Sequence, residues 1–276
     1  MIRHVAGRQN HSVKLARKLQ QKKHRRERGR LLGEGLDLLQ IAYEGGTQIL
    51  EILIREDLLA RLPRDLLDSA EAGRLDIAVC DQETLAAASS LGGAADVLFV
   101  TDEPSWSLAD LPLDTSVVLY LDGVGDPGNV GTVIRSCVAF GAGGVITAPG
   151  TADPYSAKAM RSGMGAQFLC RIVPEVSPSD LLSRLDAERG RGAAQTTIVV
   201  ADAHGGTDVR TLAQQAGRGI VLVLGAERTG PEEDWRQYPK VTIPQVSFDS
   251  LNVAMAGTVL LYELSRARVA IPGRVG

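Results

Sequence analysis

The apolar run Val117-Val-Leu-Tyr-Leu121 leads straight into Asp122-Gly-Val-Gly-Asp-Pro-Gly-Asn-Val-Gly-Thr-Val-Ile-Arg135. An unbroken apolar run of this length, bounded by turn residues, reads as a strand buried on both faces, the signature of a parallel sheet. Residues 132–140 then read as a helix. Strand, glycine-rich turn and helix in that order confine this part of the chain to an α/β architecture. The carboxyl end of such a strand is where open α/β sheets bind ligands. Glycines let backbone come close to a ligand, and a helix N-terminus offers free N–H groups.

The stretch Gly123-Val-Gly125-Asp-Pro-Gly128 matches G-x-G-x-x-G literally, which raises a nicotinamide-dependent oxidoreductase as an alternative. A dinucleotide site also needs an acidic residue about 20 positions further on, at the end of the next strand. The next apolar run is Gly144-Val-Ile-Thr-Ala148, and no Asp or Glu follows it before Asp153. Pro127 and the Asp-Pro-Gly-Asn order make an irregular loop of this segment, which disfavours that reading.

Beyond Val117 the pattern alternates. Strands are expected near 117–121, 144–148, 168–173, 197–201, 220–224 and 241–243. Helices are expected near 131–140, 156–162, 179–189, 209–216 and 251–267. That order predicts a mostly parallel sheet covered on both faces. Upstream, the pattern predicts a small α/β domain. Its helices are expected at 13–28, 31–43 and 57–72, the last with Pro63 near its middle, and at 83–90 with Asp81 as N-cap. Strands are expected at 49–54, 77–80 and 97–100. Pro104 and Pro112 mark a linker. The division is therefore 1–103, linker 104–115, and 116–276.

Charge is unevenly spread. Residues 1–30 hold eleven Lys and Arg against one acid, Glu27, while the rest holds 19 against 32. A basic arm on an acidic body suits an anionic polymer; a solvated helix face is the alternative. Few aromatic residues are available for a base-stacking platform. No apolar run approaches the ~18 residues of a membrane span. Cys80, Cys137 and Cys170 are odd in number and widely spaced, which predicts a reducing, cytoplasmic setting. No Cys/His spacing suggests zinc, so no metal is expected.

Three segments together resemble the SpoU/TrmH branch of the SPOUT RNA methyltransferases. Leu121–Arg135 is similar to motif 1, with Asn129 and Arg135 at the family's Asn and Arg positions. Leu222-Val-Leu-Gly-Ala-Glu-Arg-Thr-Gly230 is similar to motif 2, and Ile243-Pro-Gln-Val-Ser-Phe-Asp-Ser-Leu-Asn-Val-Ala254 to motif 3. Asn10-His-Ser-Val-Lys14 through Glu34-Gly35 resembles the substrate-binding domain of rRNA-directed members, itself similar to some RNA-binding ribosomal proteins. The resemblance implies a trefoil-knotted parallel sheet and a homodimer joined through the catalytic domain. It also implies S-adenosylmethionine as methyl donor and methylation of a ribose 2′-hydroxyl in structured RNA, rRNA before tRNA. Housekeeping modification and antibiotic resistance both fit it. A catalytically inactive RNA-binding protein of the same fold is the competing reading, disfavoured by the retained motif residues.

On this resemblance the donor contacts are Leu224, Gly225, Ile243, Leu251, Asn252 and Ala254. Ile243 and Leu251 would wall the adenine, and Gly225 would let backbone approach it. The catalytic set is Asn129, Arg135, Glu227, Ser250 and Asn252. A guanidinium is essentially never neutral, so Arg135 is expected to clamp the target phosphate and stabilise charge developing on the 2′-oxygen. Asn129 can fix the loop or orient the ribose, and Glu227 is expected to anchor Asn129 or Arg135. Ser250 has a second explanation as helix N-cap; Asn252 is less easily explained by helix formation. Asn10, Lys14, Lys18 and Arg26 are the candidate RNA contacts. Two departures bear on the donor loops: Arg228 stands where glycine is common, and Gln245 where Ile-Pro-Met is usual. The motif 3 loop also reads one residue short.

Overall fold

The computed structural model describes residues 1–190, 196–215, 219–226, 230–246 and 250–266, and within them the chain forms two sheets in two compact units. The first unit comprises Met1–Pro104 and Tyr155–Leu169. Its elements are β1 (Ile2–His4), α1 (His11–Leu19), α2 (Lys22–Arg28), β2 (Arg30–Glu34), α3 (Leu36–Glu44), β3 (Ile49–Arg55), α4 (Arg64–Glu71), β4 (Asp76–Cys80), α5 (Gln82–Ala88) and β5 (Val97–Asp102). The strand order is β1-β4-β3-β5-β2, parallel across β1, β4 and β3 and antiparallel across β3, β5 and β2.

Two helices foreseen from the pattern are divided in the structure. The basic segment 13–28 is two helices: α1 ends at Leu19 and α2 begins at Lys22. The Arg25 side chain is 3% exposed and donates from one terminal nitrogen to the carbonyls of Leu19 and Gln20. It seals the break between the helices and is structural. The segment 31–43 is a strand followed by a helix. Gly35, at φ 113°, separates β2 from α3, a conformation open to glycine at little cost. Gly33 lies under the Phe99 ring, which occupies the space a Cβ would need, 2.1 Å from the ring carbon Cζ. The leucines 31, 32, 36, 38 and 39 imitate helical spacing, but the first two pair with β5. Pro63 stands at the N-cap of α4, after a 3-10 turn over Glu56–Arg61.

The second unit comprises Ser105–Pro154 and Cys170–Gly276. Its strands are β6 (Val117–Asp122), β7 (Gly144–Thr147), β8 (Ile172–Val173), β9 (Thr197–Ala201), β10 (Thr207–Asp208), β11 (Ile220–Gly225) and β12 (Lys240–Thr242). All pair in parallel, in the order β10-β12-β9-β11-β6-β7-β8. Its helices are α6 (Pro127–Ala139), α8 (Pro178–Gly190), α9 (Val209–Gln215) and α10 (Val253–Arg266), while α7 (Ala157–Ser162) belongs to the first unit. β6 and β11 lie at the sheet centre, and every residue of β6 is buried. Trp235 sits fully buried with its ring edge-on to Tyr120, centroids 4.8 Å apart. The Tyr120 hydroxyl donates to the carbonyl of Val176 at 2.8 Å. Residues 104–115 are not a free tether, because Leu111 and Leu113 enter this core. The loops that would close the implied knot include 227–229 and 247–249, which lie outside the described residues.

Candidate active site

The carboxyl ends of β9, β11 and β12 and the start of α10 enclose a cavity of about 580 Å³. Leu224 and Gly225 end β11, Ile243 follows β12, and Ser250, Leu251 and Asn252 precede α10; all six line the cavity. Motifs 2 and 3 therefore meet on one cavity, though their sequences lie about 20 residues apart. Ala254 is 1% exposed and does not line it, so its expected donor contact is not formed by its side chain. It lies in the first turn of α10, where its carbonyl accepts from the Thr258 hydroxyl at 2.7 Å.

The start of α10 corrects the sequence reading. The helix begins at Val253, and the cap is Asn252: its Oδ1 accepts from the N–H of Ala254 at 2.9 Å and of Met255 at 3.3 Å. Ser250 lies two residues earlier, exposed on the cavity rim, and is not the cap. The Asn252 Nδ2 donates to Asn129 Oδ1 at 3.1 Å. One side chain thus caps the start of the helix, lines the cavity and joins motif 3 to motif 1. Asn252→Ala is expected to cost about 1 kcal/mol through the lost cap, lowering the Tm by roughly 2–4 °C in a domain of this size. Asn252→Asp keeps the capping oxygen and loses the donor to Asn129, so its Tm should stay near that of the unaltered protein. Differential scanning calorimetry of both variants checks this, and an unchanged Tm in Asn252→Ala contradicts the capping role.

Motif 1 runs from the end of β6 through the loop into the third turn of α6. Asp126 caps α6, its Oδ1 accepting from the N–H of Gly128 at 2.5 Å and of Asn129 at 3.3 Å, with Pro127 in the first helical turn. A carboxylate already holds the amides that a dinucleotide pyrophosphate would need. The literal G-x-G-x-x-G is therefore a capped turn. Asn129 is half-buried, and Arg135 is exposed. Among the described residues the Arg135 side chain forms no hydrogen bond or ion pair. Next to it, the Ser136 hydroxyl meets the Thr258 hydroxyl at 2.7 Å, tying α6 to α10. Glu227 and Arg228 lie outside the described residues.

Gly225 is required for a reason other than ligand approach. A Cβ there would lie 2.3 Å from the Pro231 nitrogen and 2.5 Å from the Gly230 carbonyl carbon. The chain returns onto the end of β11 at this point, with a bridge between Ala226 and Gly230. Just beyond, the buried Asp122 at the end of β6 accepts the Glu232 N–H at 2.7 Å. Burial pushes the Asp122 carboxyl above its ordinary pKa, and that N–H opposes the rise.

Profiles of known families match both parts of the chain. The SpoU rRNA methylase profile covers residues 116–262. The chain belongs to the SpoU rRNA methylase family. A profile for the MRM3-like substrate-binding domain covers residues 10–103. A 23S rRNA (uridine-2′-O)-methyltransferase of Streptomyces viridochromogenes is 31% identical over 250 residues, 88% of this chain and 84% of the relative. A 23S rRNA (guanosine-2′-O)-methyltransferase of Bacillus subtilis is 28% identical over 95% of this chain and 99% of the relative. Among solved structures, an rRNA methyltransferase of Sinorhizobium meliloti with bound AdoMet superimposes with a TM-score of 0.81 at 29% identity, covering 98% of this chain and 99% of the other.

Two polar residues on the cavity of this SpoU family member escaped the sequence reading. Asp202 and His204 follow β9 and line the cavity. Asp202 accepts the His204 N–H at 2.8 Å and the Lys240 ammonium at 2.6 Å, and that ammonium holds the carboxyl below the ordinary range. No motif marks them; only the parallel pairing of β9 with β11 and β12 brings them to the site. The candidate RNA residues belong to the first unit. Lys14, Lys18 and Arg26 are exposed. Asn10 caps α1, its side chain accepting the Ser12 N–H at 2.9 Å, which gives it a structural role. Among the described residues no cluster of His, Cys, Asp or Glu is placed to hold a metal ion, and no helix is long and apolar enough to cross a membrane.

Proposed function

We propose that this chain transfers a methyl group from S-adenosylmethionine to a ribose 2′-hydroxyl of ribosomal RNA, in the cytoplasm. The observation that carries this reading is the bond from Asn252, on the cavity, to Asn129 of motif 1. It sets the donor cavity beside the loop that would receive the target ribose. The cavity fits the donor in size and lining: about 580 Å³ lies within the range of small-molecule sites. Leu224, Ile243 and Leu251 offer apolar wall for a purine, and Asp202, His204 and Ser250 offer polar groups for its sugar and amino-acid parts. When bound, the donor supplies an electrophilic methyl group on a sulfonium.

The remaining steps fall to this chain's own side chains. Asn129, held by Asn252, orients the ribose hydroxyl. Arg135 binds the adjoining phosphate and stabilises the negative charge that grows on the 2′-oxygen as its proton leaves to water. Its exposed guanidinium suits a phosphate partner. Asn252 keeps motifs 1 and 3 in register. Glu227 would steady Asn129 or Arg135. Two copies of the chain would pair through α10, where Met255, Val259 and Tyr262 are exposed at i, i+4 and i+7 and Phe140 meets the Tyr262 ring edge-on at 5.7 Å.

RNA binding is assigned to the basic arm. Changing Lys14, Lys18, Lys22 and Arg26 together to Gln should flatten the slope of log affinity against log salt by up to ~3 units, at about 0.7–0.9 per phosphate contact. Donor affinity should not change. Salt titrations of both proteins against rRNA fragments check this, and parallel slopes would move RNA docking to the catalytic unit. The function itself is tested by mapping 2′-O-methylation across rRNA from cells with and without the gene. One site missing in the deletion supports it, and identical maps refute it.

A further inference from the structure

Every residue of β6 is buried; five are apolar and the last, Asp122, is an acid. A carboxylate is rarely kept in the interior unless something compensates it. Among the described residues Asp122 has no cationic partner. Burial raises its pKa, and the charges of Glu232 and Asp234 add to the rise. What it holds is a backbone group, the Glu232 N–H, at 2.7 Å. The place of that bond gives it a use. Asp122 stands opposite Gly225 in the pairing of β6 with β11. The two residues before Glu232 are Gly230 and Pro231, which come back onto Gly225 and line the donor cavity. Beyond Glu232 the chain makes a 3-10 turn over Glu233–Trp235, and the Trp235 ring packs against Tyr120 in the core. The turn is therefore anchored by a buried ring, and the cavity wall before it by the bond to Asp122.

We propose that Asp122 is a positioning residue for the methyl donor: its carboxylate holds the Glu232 N–H and so fixes Gly230 and Pro231 as a wall of the donor cavity. This rests on the donor-site reading above and goes beyond it, since Asp122 does not line the cavity and is neither a donor contact nor a catalytic residue. It acts through backbone. An ionised oxygen is a stronger acceptor than a neutral one, which gives a reason for an acid at the end of an otherwise apolar strand.

The test titrates the full chain with S-adenosylhomocysteine, using protein whose circular dichroism is native. Asp122→Leu removes the acceptor and should weaken binding by about fivefold to a hundredfold, the effect of leaving one buried N–H unpaired. Single-turnover transfer to rRNA at saturating donor should stay within about threefold, as expected when only donor binding is lost. Asp122→Asn keeps an acceptor oxygen and should recover part of the affinity. It also cannot ionise. Lowering the pH from neutrality towards the carboxylate range should therefore weaken binding more in the unaltered protein than in Asp122→Asn. Tyr120, Glu232 and Asp234 are the same in both, so the difference belongs to Asp122. Tyr120→Phe is the control: it removes a buried hydrogen bond from the same strand, to the Val176 carbonyl, and should leave donor affinity within about threefold. Unchanged affinity in Asp122→Leu overturns the proposal, and so does an equal loss in Tyr120→Phe. Should Asp122→Leu fail to fold, the pH comparison decides, and matching profiles for the unaltered protein and Asp122→Asn overturn the proposal. Failure of S-adenosylhomocysteine to bind the unaltered protein at all overturns instead the donor-site reading on which the proposal rests.

Discussion

Arg135→Ala is expected to lower methyl transfer by at least ~10²-fold, the scale of removing one group that stabilises charge in the transition state. The side chain is exposed on α6, and among the described residues it has no carboxylate partner. Its loss therefore exposes no buried charge, and the Tm should hold, since surface changes of this kind usually stay within about 0.5 kcal/mol. Donor affinity should hold as well, because Arg135 does not line the cavity. Arg135→Lys should recover only part of the rate, since an ammonium lacks the planar fork that grips a phosphate through two bonds. Single-turnover methylation measures the loss directly. A near-normal rate would remove Arg135 from the chemistry and leave it a solvated surface group.

Gly225→Val should abolish measurable donor binding or weaken it at least ~10-fold. The added Cβ would fall 2.3 Å from the Pro231 nitrogen, and neither Pro231 nor Gly230 can swing aside as a flexible side-chain tip would. Gly230 and Pro231 must move, and with them a wall of the cavity, since both line it beside Gly225 and Ala226. Overpacking of this kind commonly costs 1–3 kcal/mol. Gly225→Ala carries the same Cβ and should fail in the same direction, which a clash between ligand and a larger side chain would not require. Titration with S-adenosylhomocysteine, on protein whose circular dichroism is native, is the measurement. Unchanged affinity in the alanine variant would show that the Gly230–Pro231 return does not shape the donor site.

The central sheet was legible because buried parallel strands have nothing to alternate. Val117–Leu121 and Ile220–Leu224 are apolar on both faces, and their ends were readable to within about one residue. β1 and β10 were not legible. Ile2–His4 is a three-residue edge strand of mixed exposure, and Thr207–Asp208 is two residues long. Neither leaves a periodic signal, and each forms through pairing with a strand remote in sequence. The helix expected at 31–43 failed for a local reason. The leucine spacing was helical, but Gly35 at φ 113° and the Phe99 ring over Gly33 fix a strand before it.

At the site, the motifs identified which residues to gather but not how they engage. The Asn252 pattern could not distinguish a cap from a ligand contact, and the structure gives it capping and cavity-lining positions at once. Ala254 was expected as a donor contact from the motif 3 resemblance; its side chain is buried in the first turn of α10 and does not line the cavity. Asp202 and His204 had no motif because their place depends on strand order alone. Gly225 was singled out for backbone approach to a ligand, while the atoms nearest to a Cβ placed there belong to Gly230 and Pro231 of the same chain. Gln245, noticed in the sequence only as a departure from Ile-Pro-Met, is among the residues that line the cavity.

The most direct test of the account uses purified protein, rRNA stripped of its native modifications, and S-adenosylmethionine with a labelled methyl group. The RNA is digested to nucleosides and separated by mass. The account predicts label in a single ribose 2′-O-methylated nucleoside, absent with Arg135→Ala and with the unlabelled-donor control. Label on a base, or no transfer to rRNA by a protein that binds the donor, would contradict it.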